Sequence, residues 1–210
     1  MRTPAAALLL GLVLALAAAP AHAEPVIVAL GDSITSGLGV AADEAYPALL
    51  EARLRRDGYA HRVVNAGVSG DTTAGGLRRV DWVLRAQPEI VILALGANDG
   101  LRGQPPQTTR ANLEAIVARL TAAGARVLLA GMRMPPNYGE AFTRQFEAVF
   151  PAVARRANVA LVPFLLDGVA ADPTLNQADG LHPNAAGHRV IADRLWPHLA
   201  PLLKKTPRGK

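Results

Sequence analysis

An α/β fold of three layers is what the sequence predicts: a mostly parallel, five-stranded sheet with helices on both faces. Two observations carry this expectation. Apolar runs short enough to be buried strands recur along the chain. Longer stretches with apolar residues at helical spacing lie between them. Strands alternating with helices of that length make βαβ units, which give parallel sheets covered on both sides.

The strands are expected at Val26 to Leu30, Arg62 to Asn65, Ile90 to Leu95, Arg126 to Ala130 and, more weakly, Val159 to Val162. A helix is expected over Tyr46 to Arg56, where Leu49, Leu50 and Leu54 share one side and Asp57-Gly58 is a stop signal. A second should run from Thr73 to Ala86, capped by Asp71 or Thr72 and ended before Pro88. A third covers Thr109 to Ala123 and stops at Gly124, where glycine tolerates the left-handed conformation. Phe142 to Ala157 and Asn184 to Leu195 complete the set, with Asn184 able to cap the last. Three loops rich in Pro and Gly remain: Gly96 to Pro106, Gly131 to Gly139 and Asp167 to Pro183. They exceed the usual connection length, and such loops in compact domains are often functional.

The 210 residues suit one domain, expected over 24–203. Residues 1–23 have the pattern of a secretory signal peptide: Arg2, an apolar run from Ala5 to Ala19, then the small-x-small site Ala21-His22-Ala23. The run is short of the ~20 residues a spanning helix needs, which favours cleavage after Ala23 over a retained anchor. The mature protein is therefore expected to be soluble and periplasmic or secreted. No cysteine is present, so export brings no disulfides, and thiol nucleophiles and thiolate metal sites are excluded. The formal charge is +5. Arg2 and the tail residues Lys204, Lys205, Arg208 and Lys210 account for it, leaving 24–203 formally neutral. A nucleic-acid binder would instead spread basic residues over a folded face. The tail, 204–210, reads as solubilising or as an anionic-membrane contact.

Chemistry is concentrated at four places. Gly31-Asp32-Ser33 follows the first strand directly, so a hydroxyl is presented at the carboxyl edge of the sheet, where open α/β folds place their sites. Of the three serines, Ser33, Ser36 and Ser69, only Ser33 follows a strand through a glycine. A helix N-cap would account for it equally well. Asp179-Gly180-Leu181-His182 places an acid and an imidazole three residues apart, stiffened by Pro183. That spacing suits an orienter and a general base, although a surface turn before a helix has the same look. Gly96-Ala97-Asn98-Asp99 follows the third strand, and the Asn98 carboxamide suits a developing oxyanion. Asn65-Ala66-Gly67 follows the second, where a glycine would let a bare backbone N–H approach a substrate. His61, His188 and His198 read as ordinary helix or surface histidines. There is no Gly-x-Ser-x-Gly elbow and no phosphate-binding Walker sequence. Gly37-Leu38-Gly39-Val40-Ala41-Ala42 fits the loose dinucleotide pattern, but begins several residues after the strand. Neither a metal site nor a cofactor is expected.

With these residues in place, the chain resembles the SGNH, or GDSL, hydrolase superfamily. Its four blocks match in order at Gly31-Asp32-Ser33, Gly67, Gly96-Ala97-Asn98-Asp99 and Asp179-Gly180-Leu181-His182-Pro183. Asn98 to Gly103 and Met132 to Gly139 are similar to the branch of periplasmic acyl-CoA thioesterases, arylesterases and lysophospholipases. The resemblance implies a flavodoxin-like fold and a triad of Ser33 as nucleophile, His182 as base and Asp179 as orienter. It also implies an oxyanion hole of the Ser33 and Gly67 N–H groups with Asn98, acting on esters and thioesters.

The acyl group is expected in an apolar groove walled by Leu101, Pro105, Met132, Met134, Pro135, Pro136, Tyr138 and Leu181, since exposed loop methionines and leucines usually have something to cover. The same loops would lose that role by packing on one another. The partner implied is a small acyl ester or thioester met by a monomer, with no nucleic acid and no stable membrane insertion. A carbohydrate O-acetyl esterase of the same superfamily is the alternative. It calls for an aromatic-lined cleft, and aromatics make up only 4% of the chain. A non-catalytic binding module is disfavoured by the complete triad.

Overall fold

The structure, a computed structural model, describes residues 24–203. The expected leader, 1–23, and the basic tail, 204–210, lie outside the described residues. Five strands form the sheet: β1 (Val26–Gly31), β2 (Arg62–Gly67), β3 (Ile90–Ala94), β4 (Arg126–Ala130) and β5 (Ala160–Val162). All neighbours run parallel, in the order β2-β1-β3-β4-β5. Strands read as unbroken apolar runs because both faces of such a sheet are covered. β1 and β3 are buried at every position, whereas β2 at the edge is only partly so.

The helices are α1 (Ser33–Ser36), α2 (Tyr46–Arg56), α3 (Thr73–Arg78), α4 (Val80–Leu84), α5 (Ala97–Leu101), α6 (Pro106–Ala122), α7 (Glu140–Ala157) and α8 (Ala185–Leu199). α2 and α8 pack together in one layer, and α3, α4, α6 and α7 form the other. The core lies where these layers meet the sheet. Leu50 and Leu54 of α2 and Leu113, Ile116 and Leu120 of α6 are wholly buried. Each such side chain contributes roughly 1.5–3 kcal/mol. α7 adds a run of rings, Phe142 on Phe146 and Phe146 against Phe150. Among the described residues no helix is long and apolar enough to cross a membrane.

Several elements differ from expectation. α2 has the predicted limits and ends at Asp57, with Gly58 at φ +84°. The helix expected over 73–86 is two helices, α3 and α4, broken at Arg79, whose side chain is drawn under the sheet edge. Thr72 is the cap, accepting from the Gly75 N–H at 3.2 Å. α6 begins three residues early because Pro106 takes the first helical position, where no N–H is needed. α8 runs on to Leu199 through Pro197. The short helix α5 sits inside the expected loop 96–106, and the helix start at α1 is capped by Asp32 rather than by Ser33.

The register levels the strand ends. Gly31 of β1 faces Gly67 of β2 on one side and Ala94 of β3 on the other. The chain passes from β1 outward to β2 and then back across to β3, so its direction reverses beside β1. That reversal opens a crevice at the carboxyl edge, the place where open parallel sheets bind ligands.

Candidate active site

α1 starts immediately above β1. Asp32 caps it, its Oδ1 accepting from the Ile34 N–H at 3.1 Å. Gly31 admits no side chain, because a Cβ would drive into Thr35. Ser33, at the first helical position, is therefore fixed at the crevice floor. Its own N–H donates to no described residue, as befits the first turn of a helix.

The loop after β5 brings His182 to Ser33. Ser33 Oγ lies 3.0 Å from His182 Nε2, and His182 Nδ1 lies 2.6 Å from Asp179 Oδ2. Asp179 Oδ1 accepts from the N–H groups of Leu181 and His182, at 2.9 and 3.0 Å. Acid and base are thus one tight turn, which needs Gly180 at φ +68°. Those hydrogen bonds, led by the His182 N–H and ring, hold the Asp179 carboxyl down to about 2. A carboxylate only accepts, so the neutral imidazole carries its proton on Nδ1 and turns the Nε2 lone pair to Ser33.

Sequence reasoning missed what holds this turn in place. Asn176 and Pro183 form an isolated antiparallel bridge. Gln177 donates its backbone N–H to the His182 carbonyl at 2.8 Å, and its Nε2 donates to the carbonyls of Leu38, just past α1, and Pro183, at 2.7 and 3.0 Å. It ties the loop of His182 to the loop of Ser33. No local pattern marks a glutamine for a contact 139 residues away.

The third strand end supplies Asn98 in α5. Its Nδ2 lies 3.4 Å from Asp32 Oδ2. Next to it, buried Asp99 accepts from the Thr73 N–H at 2.8 Å and from the Thr73 hydroxyl at 2.5 Å, locking α5 onto α3. Burial pushes the Asp32 carboxyl up to about 6, opposed by the Ile34 N–H and by His182 nearby. Arg79 is a second unanticipated residue. Its guanidinium donates to the Ala66 and Gly31 carbonyls at 2.7 and 2.8 Å, and to Asp71 at 2.7 Å. It clamps the ends of β1 and β2 together from beneath.

Gly67 does not offer the bare amide expected of it. Its N–H donates to Asn65 Oδ1 at 2.9 Å, and the glycine is required because a Cβ would enter the backbone of Ser36. Open amides after β2 are those of Ser69 and Gly70, on the turn that follows. Val68 to Asp71 form a turn, closed by the Asp71 N–H on the Val68 carbonyl at 3.0 Å, with Gly70 at φ +77°. The Gly70 N–H has no acceptor among the described residues, and Arg102, just past α5, holds its carbonyl at 2.9 Å.

The expected walls divide. Leu101 and Leu181 are exposed, and so are Pro105, Pro135 and Pro136. Tyr138 is half-buried, stacks on Phe142, and donates to the Leu101 carbonyl at 3.0 Å. Met132 and Met134, expected as exposed walls, are buried. The sheet pairing runs on past β4, with the Gly131 N–H on the Val162 carbonyl at 2.8 Å, and Met134 lies against Gly100, as does Phe146. Leu38 and Val68 are exposed instead, each in a loop that leads away from a site strand or from α1. Of the five large apolar side chains that stand out from the described surface, Leu38, Val68, Leu101 and Leu181 are four.

His61 and His188 are not surface histidines. Both are buried, and burial lowers both pKa values, that of His188 to about 4. His188 stacks on Tyr46, whose hydroxyl is 2.8 Å from Thr35 of α1.

Comparison with known proteins shows the family. Residues 29–190 match the GDSL-like Lipase/Acylhydrolase family. Esterase TesA of Pseudomonas aeruginosa is 44% identical over 178 residues, 84% of this chain and 89% of that protein. Thioesterase 1/protease 1/lysophospholipase L1 of Escherichia coli K12 is 40% identical over 184 residues, 87% of each. A crystal structure of TesA superposes with a TM-score of 0.82 at 44% identity, covering 85% of this chain and 99% of that one. The chain belongs to the GDSL-like lipase and acylhydrolase family.

Proposed function

We propose that this protein is a serine hydrolase that cleaves carboxylic ester and thioester bonds of acyl substrates by a two-step acyl transfer to water. The observation that carries the reading is the unbroken chain from Ser33 Oγ through the His182 ring to Asp179, at 3.0 and 2.6 Å. In the first step Ser33 Oγ attacks the carbonyl carbon while His182 Nε2 takes its proton. Asp179, ionised at any working pH, stabilises the imidazolium. The same proton passes to the departing alcohol or thiol. Water then attacks the acyl-enzyme by the reverse route, and Ser33 recovers its hydrogen.

The negative charge that develops on the carbonyl oxygen needs donors already in place. The Ser33 N–H, the Gly70 N–H and Asn98 Nδ2 are available groups at the ends of β1, β2 and β3 and fill that role. Gly70 replaces Gly67 in this role, since the Gly67 N–H is engaged by Asn65. The exposed side chains of Leu38, Val68, Leu101 and Leu181 supply the apolar contact for an acyl chain, with Tyr138 bracing Leu101. Thioesters and lysophospholipids belong to the substrate range by similarity to the relatives named above. Residues 1–23 are an export signal removed after Ala23, so the enzyme works in the periplasm or outside the cell.

A fluorophosphonate probe followed by peptide mapping tests the assignment. Ser33 should carry the label, and Ser33→Ala should lose both labelling and hydrolysis of p-nitrophenyl esters. Labelling at another residue overturns the reading. Across p-nitrophenyl esters from acetate to octanoate, kcat/KM should rise by about tenfold or more, as partly covered methylenes contribute up to ~0.8 kcal/mol each. A flat profile removes the acyl groove.

A further inference from the structure

Asp32 takes no part in the proton relay, yet it is a carboxylate 1% exposed at the floor of the site. Its two oxygens do different things. Oδ1 caps α1 through the Ile34 N–H, at 3.1 Å. Capping needs no charge, since Ser, Thr or Asn would do as well. Oδ2 faces the Asn98 carboxamide, 3.4 Å from Nδ2. An ionised carboxylate has only acceptors, so it admits one of the two orientations of that carboxamide. Turned over, Asn98 would set Oδ1 against Oδ2, lone pair against lone pair, in a buried place. The second N–H on the same nitrogen stays available for an incoming oxygen.

We propose that Asp32 is a positioning residue for the oxyanion site: as an acceptor-only group it holds the Asn98 carboxamide with its amine edge committed to the crevice, while its other oxygen fixes the first turn that carries Ser33. The inference rests on the reading that Asn98 is an oxyanion donor. It explains why a charge is buried at a position where a neutral cap would suffice. Strongly perturbed carboxyls cluster at working sites for this kind of reason, and the Asp32 carboxyl is such a group.

Asp32→Asn tests it. The variant keeps the shape and the capping oxygen, but puts an amine where Oδ2 accepts from Asn98. With p-nitrophenyl acetate, kcat should fall about 10- to 100-fold with KM within about twofold, the pattern of a lost transition-state contact. Asp32→Ser, which also caps without charge, should lose kcat alike and keeps the test open where Asp32→Asn does not fold. Asn98→Ala should lower kcat by about 10²–10³, and adding Asp32→Asn to it should lower kcat by no more than about threefold further. The inference is overturned when a folded Asp32→Asn or Asp32→Ser keeps kcat within about threefold of the parent, or when the loss is undiminished in the Asn98→Ala background. A full-rate Asn98→Ala overturns instead the reading beneath it.

Discussion

Asp32→Asn should also move stability, in the direction opposite to its effect on rate. In an unfolded chain the Asp32 carboxyl ionises near 3.8, and in the folded protein burial raises this to about 6. Between those values the folded state keeps a proton that the unfolded state has already released. Stability therefore falls as pH rises through that window. Below about pH 4 the group is neutral in both states and costs nothing. Above about pH 6 the whole difference stands, and two pH units at ~1.4 kcal/mol each make about 3 kcal/mol. Asparagine has no charge to bury and keeps the cap to Ile34, so the variant escapes this penalty. The lost acceptor for Asn98 returns about 1 kcal/mol of it at every pH. Urea unfolding of both proteins between about pH 4 and 7.5 reads the difference directly. The variant should be level with or slightly below the parent at the acid end, and about 2 kcal/mol above it at the neutral end. A difference that stays constant across the range would refute the argument, because only a group that titrates within it can tilt the curve.

Two further outcomes follow from groups away from the reacting atoms. Arg79→Met strips the Gly31 and Ala66 carbonyls and Asp71 of one shared donor. It should lower unfolding stability by about 3 kcal/mol and reduce kcat; a loss under about 1 kcal/mol would mean that the strand ends hold without it. His188 is kept neutral by burial, with its pKa lowered from 6.5 to about 4, so protonation opposes folding as pH falls through that interval. The parent should lose about 3 kcal/mol there on this account, and His188→Asn, which can still accept from the Tyr46 N–H, should not. Parallel acid-unfolding curves for the two would rule out His188 as a source.

The sheet was legible because β1 and β3 are apolar at every position and β4 at all but its first, a pattern that a doubly covered parallel sheet imposes. Ser33, Asp179, His182 and Asn98 were legible because strand ends and a tight Asp-to-His turn leave local traces. The short helices α1 and α5 were not, since four or five residues are too few to show a period of 3.6. Gly67 reads as the open amide because it closes the second strand's pattern, and the hydrogen bond from its N–H to the Asn65 side chain leaves no trace in the sequence. Met132 and Met134 read as loop residues because their burial comes from α7 and from sheet pairing continued past Ala130. Asp32, Arg79 and Gln177 each make one contact 48 to 139 residues away in the chain, which no window of sequence contains.

Ser33 crowns the first strand to leave the ribosome, and His182 follows it by 149 residues. A nascent chain therefore exposes an ordinary, unreactive alcohol for most of its synthesis. On the proposed mechanism, esters around it are safe until the loop after β5 closes over the sheet. By the same mechanism, any cleavage that releases the segment after β5 disarms the protein, and it also strips α2 of α8, its partner in that layer.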